Sequence, residues 1–523
     1  MHPDLASLTT SVDAALAAGD LDGAVEAIRR DGRAVAFEAG AAFRDLVYRI
    51  PEEAWDGDGT IAAILGASYR APGSPRGTAA LRFFEAAAAT LDRPGVTTTD
   101  RAEVWLGQAA ALRVIGRLDE ASATLDRIAE LGRNAQPSVS RRVAYAARWM
   151  LKRGMIDLQL GRFDSARDNL EGALGLRDRL CRAETMECLG ALAVIDFNTG
   201  DLARADAMIA EARELAQGTG LLASGFGAPA LATEVLIGIE RCGLDRARQV
   251  ETELRDAARG TEFEPFAYSI SALLTASEGA LIPALDLIGR SLAGYRSWPR
   301  TGFGHDVTLV MQANVLLGLD RIDEAAAILV DLPPYEHHLI CPARVIGRLR
   351  LGRGDIPGAR AAIADCLRLG DAHASRSYAD VQVLHAAIEL AAGDTRTADL
   401  LFDRALSRLT TWGLRTALLS VPPLLLGDLA ARAVTRPQSN EVIELLESLP
   451  PTAGGEQRAV QPLTDQERRV LATLIDERST AAIAARLYLS PNTVKTHLRH
   501  LYRKLGVTTR EDAIRVARSL GFG

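Results

Sequence analysis

Lysine is almost missing from this 523-residue chain: Lys152, Lys495 and Lys504 are the only ones among its 60 basic residues. Aromatic side chains are scarce at 5%, and the five cysteines (Cys181, Cys188, Cys242, Cys341, Cys366) include no CxxC pair. An odd number of widely spaced thiols in a large chain fits reduced cysteines better than a disulfide framework. No metal site is expected, and Cys181 and Cys188, seven apart, read as two small core residues. No apolar run reaches the ~20 residues that a bilayer span needs. Met1-His2-Pro3-Asp4 has neither the basic flank nor the apolar stretch of a signal peptide. A cytoplasmic protein without membrane contact is expected.

Catalytic signatures are missing too. No Gly-Lys dipeptide occurs, which excludes a GxxxxGK phosphate loop, and neither HExxH nor GxSxG is present. No strand-helix alternation suggests a receiver domain, and Gly57-Asp58-Gly59 reads as a turn. The expectation is no enzyme, no catalytic residue and no cofactor. With 48% hydrophobic and 24% charged residues the composition is nonetheless that of a globular protein.

What the chain does have is a recurring word: Gly, four residues, Ala. It runs from Gly19 to Ala24, Gly116 to Ala121, Gly161 to Ala166, Gly200 to Ala205, Gly279 to Ala284, Gly354 to Ala359 and Gly393 to Ala398. Weaker copies end at Ala247, where Gly243 makes the spacing one shorter, and at Ala325, where Asp320 replaces the glycine. The mean interval from Ala121 to Ala398 is about 40 residues, a repeat period of helical arrays. A glycine with positive φ ends one helix, and the next presents a small residue where its neighbour approaches closely. Each unit is thus a helical hairpin that buries its apolar face only by stacking on the next, which predicts an all-α solenoid. The pattern is weakest from Gly40 to Asp100, where Pro51, Pro72 and Pro75 intervene and the anchor is Ala79.

Six of the few aromatics, Phe263, Phe266, Tyr268, Tyr295, Trp298 and Phe303, cluster in the body. They read as packing in irregular loops around Pro265 and Pro299, the alternative being an aromatic-lined groove. His337, His338 and Cys341 follow Pro333-Pro334 and read as loop residues with incidental imidazoles rather than metal ligands.

The net charge of −7 is unevenly shared. Residues 460–523 carry eleven basic and six acidic side chains, so a cationic tail follows an acidic body. The stretch from Ser448 to Gln457 reads as a linker. Four short helices are then predicted. The first starts at Thr464 with Glu467 closing a capping box, and the second follows Ser479. The third has Ser490 as N-cap and Pro491 at N1 and stops at Gly506, and the fourth follows Thr509 with Asp512 as capping partner. On the third helix Val494, Leu498, Leu501 and Leu505 form one stripe, so Asn492, Thr496, Arg499 and Arg503 face the other way, with Lys495 and His500 beside them. No acidic residue occurs from Arg478 to Arg510. Such a face suits the major groove of double-stranded DNA, and Ser490, Asn492 and Thr493 surround a helix N-terminus where a phosphate docks. Lys504 completes the set of candidate DNA contacts.

The words Leu463-Thr464, Glu467, Val470-Leu471, Ile483-Ala484, Leu489-Ser490, Thr493-Val494-Lys495, His497-Leu498 and Leu501 through Val507 resemble the C-terminal helix-turn-helix of LuxR-type regulators. The repeats resemble the long tetratricopeptide-type units of MalT-like and LuxR-like regulators, although here they begin near residue 10 and no ATPase is expected before them. The resemblance implies that Lys495, Thr496 and Arg499 supply groove contacts. It also implies that Ala513, Val516, Ala517 and Leu520 of the fourth helix pair two DNA-binding domains. Where relatives carry Gly-x-Ser-Asn-Lys-Glu, this chain has Glu477-Arg478-Ser479-Thr480-Ala481-Ala482, so the second capping box lacks its carboxylate, at a cost of about 1 kcal/mol or less. Arg469 stands where an acidic residue is frequent.

The expected organisation is a helical repeat domain over 1–447, a linker over 448–461 and a helix-turn-helix domain over 462–523. The expected function is sequence-specific transcription regulation, with the repeats sensing a ligand or protein effector and the protein acting as a homodimer on DNA. The alternative is an interaction scaffold whose tail adds only nonspecific nucleic-acid affinity.

Overall fold

The computed structural model describes residues 5–71, 78–134, 139–296, 298, 302–319, 321–330, 332, 335–447, 465–477, 479–505, 510 and 513–514. Among them there are twenty-five α-helices and no strand. Antiparallel hairpins pair α1 (Leu5–Ala17) with α2 (Leu21–Val47), α3 (Gly59–Ser68) with α4 (Ala79–Ala88), and α5 (Thr98–Val114) with α6 (Leu118–Asn134). Next come α7 (Val139–Gln159) with α8 (Phe163–Leu174), α9 (Arg182–Thr199) with α10 (Leu202–Leu215), and α11 (Ala228–Glu240) with α12 (Leu244–Ala258). The series continues with α13 (Glu264–Ser277) and α14 (Leu281–Tyr295), α15 (Phe303–Gly318) and α16 (Ile322–Leu329), α17 (Pro342–Gly352) and α18 (Ile356–Leu369), and α19 (Ser375–Ala391) and α20 (Thr395–Trp412). The helices α21 (Pro423–Ala433) and α22 (Asn440–Glu447) end the array. A C-terminal unit holds α23 (Asp465–Asp476), α24 (Thr480–Arg486) and α25 (Pro491–Leu505).

The glycine-alanine word does what its chemistry requires. All seven of its glycines have φ between 72° and 99°, and all seven anchor alanines are fully buried. The aspartate that follows four of the glycines is the N-cap of the next helix: Asp20, Asp201, Asp355 and Asp394 accept from the backbone N–H three residues on, at 2.8 to 3.0 Å. Ala247 corrects the sequence reading. Cys242, not Gly243, takes the left-handed position with φ 59°, so the spacing to the anchor is unbroken. Ala325 is buried as expected, whereas Asp320 lies outside the described residues. Ala79 is only half-buried, at the first residue of α4, and the neighbouring Ala80 is the buried one. In this irregular region α2 is kinked at Gly40, and Asp58 caps α3 through the amides of Thr60 and Ile61.

Successive hairpins wind into a superhelix whose turns touch each other. The chain between hairpins packs on the turn of a hairpin four units earlier. A Cβ on Gly116 would lie 2.4 Å from the Trp298 indole, one on Gly161 2.2 Å from the Tyr335 ring, and one on Gly200 2.7 Å from Ser375 Cβ. In the same series Glu240, at the end of α11, accepts from the amides of Arg415 and Thr416, both at 2.9 Å. The aromatic cluster serves this contact. Trp298, Tyr295 and Phe303 are buried, and Phe303 stands between Phe163 and Tyr335, with ring centroids 4.8 and 5.7 Å away. Packing is only part of the outcome. Phe263, Phe266 and Tyr268 are half-buried, and Phe263 and Phe266 line a pocket together with Tyr295, Trp298 and Phe303, as the groove alternative supposed. Pro265 lies in the first turn of α13 rather than in a loop, and Pro299 is outside the described residues.

The scarcity of lysine has a structural counterpart. Several of the ion pairs that join one hairpin to the next are two-pronged arginine contacts, such as Arg432 on Asp399 (2.8 and 2.6 Å) and Arg436 on Asp403 (2.9 and 2.8 Å). A planar guanidinium matches both carboxylate oxygens, and a lysine ammonium does not. The one lysine of the repeats is buried. Lys152 Nζ donates to Glu187 at 2.9 Å, and Arg113 donates to Glu187 at 2.7 Å and to Glu262 at 3.0 Å. These four residues tie α5, α7 and α9 to the segment before α13. Burial alone would raise the Glu187 carboxyl, but Lys152 and Arg113 outweigh it and hold the group down at about 2. Cys188 is buried in this region, whereas Cys181 corrects the core reading: it is exposed, at the N-cap of α9.

Two outcomes follow for stability. Gly161→Ala should lower the thermal midpoint more than Gly354→Ala. Both meet the left-handed strain of about 1–2 kcal/mol, but only Gly161 faces an aromatic ring, worth about a further 1–3 kcal/mol of overpacking. Gly354 has no atom within 4 Å of its Cβ direction. Equal losses would refute the contact between superhelical turns. Lys152→Met should cost about 3–5 kcal/mol by leaving buried Glu187 short of a cation. Because the carboxyl is depressed in the folded state, its contribution is complete above the ordinary range near ~4.3 and disappears as pH falls toward about 2. Circular dichroism through an acid titration should show the variant unfolding at higher pH.

Candidate nucleic-acid interface

The C-terminal unit is built around a small core. Val470, Leu471 and Leu474 of α23, Ile483 and Ala484 of α24, and Val494, Leu498 and Leu501 of α25 are buried against one another together with Ala513. Three short helices bury little surface each, so capping matters to their placement. Ser479 Oγ accepts from the Ala482 amide at 3.1 Å, which preserves half of the capping box that lost its carboxylate. Ser490 Oγ accepts from the Thr493 amide at 3.1 Å and lies 2.7 Å from the Thr493 hydroxyl, and Pro491 is the first helical residue. Arg510 closes the other end by donating to the carbonyl of Leu474 at 3.1 Å and to that of Glu477.

With Val494, Leu498 and Leu501 facing inward, the remaining side chains of α25 have one direction left. Ser490, Asn492, Thr493, Lys495, Thr496 and Arg499 are all exposed, and His500 is half-buried. The Thr496 hydroxyl donates to the Asn492 carbonyl at 3.0 Å, which leaves its methyl and oxygen on the open face. No acidic residue occurs on α25. The first turn offers hydrogen-bonding side chains at the positive end of a helix dipole, and Lys495 and Arg499 follow on the next turns. The side chains of Arg503, Lys504 and Leu505 lie outside the described residues. So do Val516, Ala517 and Leu520, together with Thr464, Gly506, Thr509 and Asp512 and their expected capping roles. Ala513 is described, and it corrects the pairing assignment: fully buried in the domain's own core, its methyl has no surface for a second copy.

Two groups of residues escaped sequence reasoning. Tyr488, in the turn between α24 and α25, is 96% exposed with φ 55°, beside the exposed Arg486. A bulky residue in left-handed backbone is uncommon and invites a functional reading; the turn length before Ser490 was its only sequence signal. In the solenoid, His338 and Cys341, taken as incidental, are joined by Cys366 and His373, with all four donor atoms within 4.8 Å of one another. His337, by contrast, turns away to Asp164 at 2.9 Å. The separation of Cys341 from Cys366 by a whole helix hid the grouping.

Comparison with known proteins places this geometry. Residues 461–517 match the bacterial regulatory proteins of the luxR family. The chain is also similar to two solved structures, each at low identity. One is the Rap protein complexed with competence and sporulation factor, at 12% identity and TM-score 0.45, covering 60% of this chain and 99% of that one. The other is the APC/C hetero-tetramer Cut9-Hcn1, at 13% identity and TM-score 0.41, covering 98% of this chain and 99% of that one. Among the described residues no helix is long and apolar enough to cross a membrane. A capped amphipathic helix with its apolar face closed and its cationic face open lies within the matched segment, so the C-terminal unit is a DNA-binding helix-turn-helix domain of the luxR family, carried behind a solenoid of helical hairpins.

Proposed function

We propose that the protein is a sequence-specific transcription regulator in which the solenoid, residues 1–447, senses an effector and governs a DNA-binding domain at 462–523 through a linker at 448–461. The observation that carries the reading is the exposure of Asn492, Thr493, Lys495, Thr496 and Arg499 over a helix whose opposite side is sealed in a core. In this reading α25 enters the major groove. Ser490, Asn492 and Thr493 hold a phosphate at its N-terminus, Lys495, Thr496 and Arg499 reach base edges, and His500, Arg503 and Lys504 follow the backbone. Two copies bind half-sites about one helical turn apart, paired through Val516, Ala517 and Leu520.

The sensing half is supported by a cleft of about 370 Å³ inside the superhelix, between α11, α13, α15, α17 and α19. Arg344, Arg348 and Arg376 line it against Glu240 and Asp380. Glu240 is taken up by the Thr416 segment and Asp380 by Arg344. Arg348, also pushed down by burial, has neither hydrogen bond nor ion pair among the described residues. Burial first, then Arg376, depresses Arg344 to about 10. A cleft short of negative charge favours a small anionic effector or an acidic segment of a partner protein.

Arg499→Ala tests the DNA half. In competition binding across randomised operators, the variant should lose about 1–3 kcal/mol and relax preference at one base position. Uniform weakening of all sequences, with no position relaxed, would instead favour the scaffold with nonspecific affinity.

A further inference from the structure

Between α16 and α19 the chain brings together two thiols and two imidazoles from four places. His338 ends a 3-10 turn, Cys341 is the N-cap residue of α17, Cys366 lies in the last turns of α18, and His373 directly precedes Ala374, the N-cap residue of α19. Cys341, Cys366 and His373 are buried. The sulfurs are 3.5 Å apart, and Cys366 Sγ is 3.5 Å from His338 Nδ1. With metal-sulfur bonds of about 2.3 Å and metal-nitrogen bonds of about 2.0 Å, the sulfur-nitrogen separation equals a tetrahedral edge of about 3.5 Å, and the sulfurs need to part only slightly to reach theirs of about 3.8 Å.

Two independent features point at a ligand. His373 is 3% exposed, and its Nε2 is buried with no hydrogen-bond partner. Its other nitrogen, Nδ1, lies 3.1 Å from the Ala374 carbonyl and 3.3 Å from the Ser377 hydroxyl. A proton held on Nδ1 by that carbonyl leaves the Nε2 lone pair free to coordinate, the arrangement that orients metal-binding histidines. The second feature is strain. Tyr335, His337 and His338 all take positive φ, 50° to 59°, within four residues, in a segment that no glycine eases. This loop is held by its neighbours: Ala374 N donates to His337 O, and Ser377 Oγ to His338 O, both at 2.8 Å.

We propose that His338, Cys341, Cys366 and His373 bind one Zn²⁺ as a structural Cys2His2 site, with His373 coordinating through Nε2. Two thiolates neutralise the dication, so the buried site carries no net charge. Zn²⁺ is the divalent ion suited to a closed tetrahedron of two thiolates and two imidazoles. The metal fastens the loop before α17 to α18 and to the start of α19. That loop also carries Tyr335 onto Gly161 and His337 onto Asp164, so the ion secures contact between superhelical turns.

The test uses the full-length chain, purified under reducing conditions and loaded with Zn²⁺. After gel filtration, elemental mass spectrometry should find about one zinc per chain, and Co²⁺ in its place should give the visible bands of a tetrahedral thiolate complex. Cys366→Ser and His373→Ala should weaken Zn²⁺ binding by about 100-fold or more, and Ser377→Ala, acting through His373, by about tenfold. Should the ligand variants fail to fold, the wild-type chain still answers. In a denaturant series that opens the buried site of the metal-free chain, Zn²⁺ should shift alkylation of Cys341 and Cys366 to higher denaturant, with exposed Cys181 and Cys242 reactive throughout, and a chelator should reverse the shift. Zinc lost on gel filtration, alkylation unaffected by Zn²⁺, or a Cys341–Cys366 disulfide that forms whether or not Zn²⁺ is present would each overturn the proposal.

Discussion

Close backbone approach at the hairpin turns is the constraint on which the architecture rests. Each helix pair exposes an apolar stripe that only a neighbour covers, and the neighbour comes close enough only where the side chain is a methyl. The turn that places this methyl ends a helix in left-handed backbone, which glycine enters without strain. At Gly116, Gly161 and Gly200 the same residues meet a second demand. The following superhelical turn lays Trp298, Tyr335 or Ser375 against them, so a Cβ would be excluded by space as well as by φ. One small residue type thus serves both the local turn and the long-range stacking.

Charge completes what packing begins. Arginines fork onto carboxylates of adjacent hairpins, and the four-residue cluster of Arg113, Lys152, Glu187 and Glu262 binds helices far apart in sequence inside the array. Surface forks of this kind are individually weak but select register. The buried cluster is different, because removing any one member strands a charge away from water. The cleft around Arg348 shows the opposite condition, a cation left over once its neighbours are paired. The two sites share a chemistry and differ only in whether the protein itself supplies the counterion.

The C-terminal unit reverses the arrangement of the repeats. There the helices are short and the core is a handful of residues, so one amphipathic helix both holds the domain together and presents its open face. Ser490 begins that helix, Val494 and Leu498 anchor it, and Lys495, Thr496 and Arg499 are what remains outside. The broken capping box at Ser479 and the left-handed Tyr488 both lie outside the core that holds α25 in place.

From residue order alone, the all-α class, the hairpin period, the anchor alanines and the inward and outward faces of α25 were legible, because each depends on contacts within a helix turn or between adjacent helices. The missing carboxylate at Ala482 was legible for the same reason. What folding alone decided were the meetings of distant segments. Trp298 on Gly116, Glu240 under Thr416, Cys366 and His373 beside His338 and Cys341, and the use of Ala513 for the domain's own core leave no periodic trace, since superhelical pitch sums small rotations over many hairpins. Cys242 in the place of a glycine was hidden for another reason: its left-handed turn is closed locally, by Gly243 N donating to Gly238 O at 2.8 Å, and nothing in the letter Cys announces it.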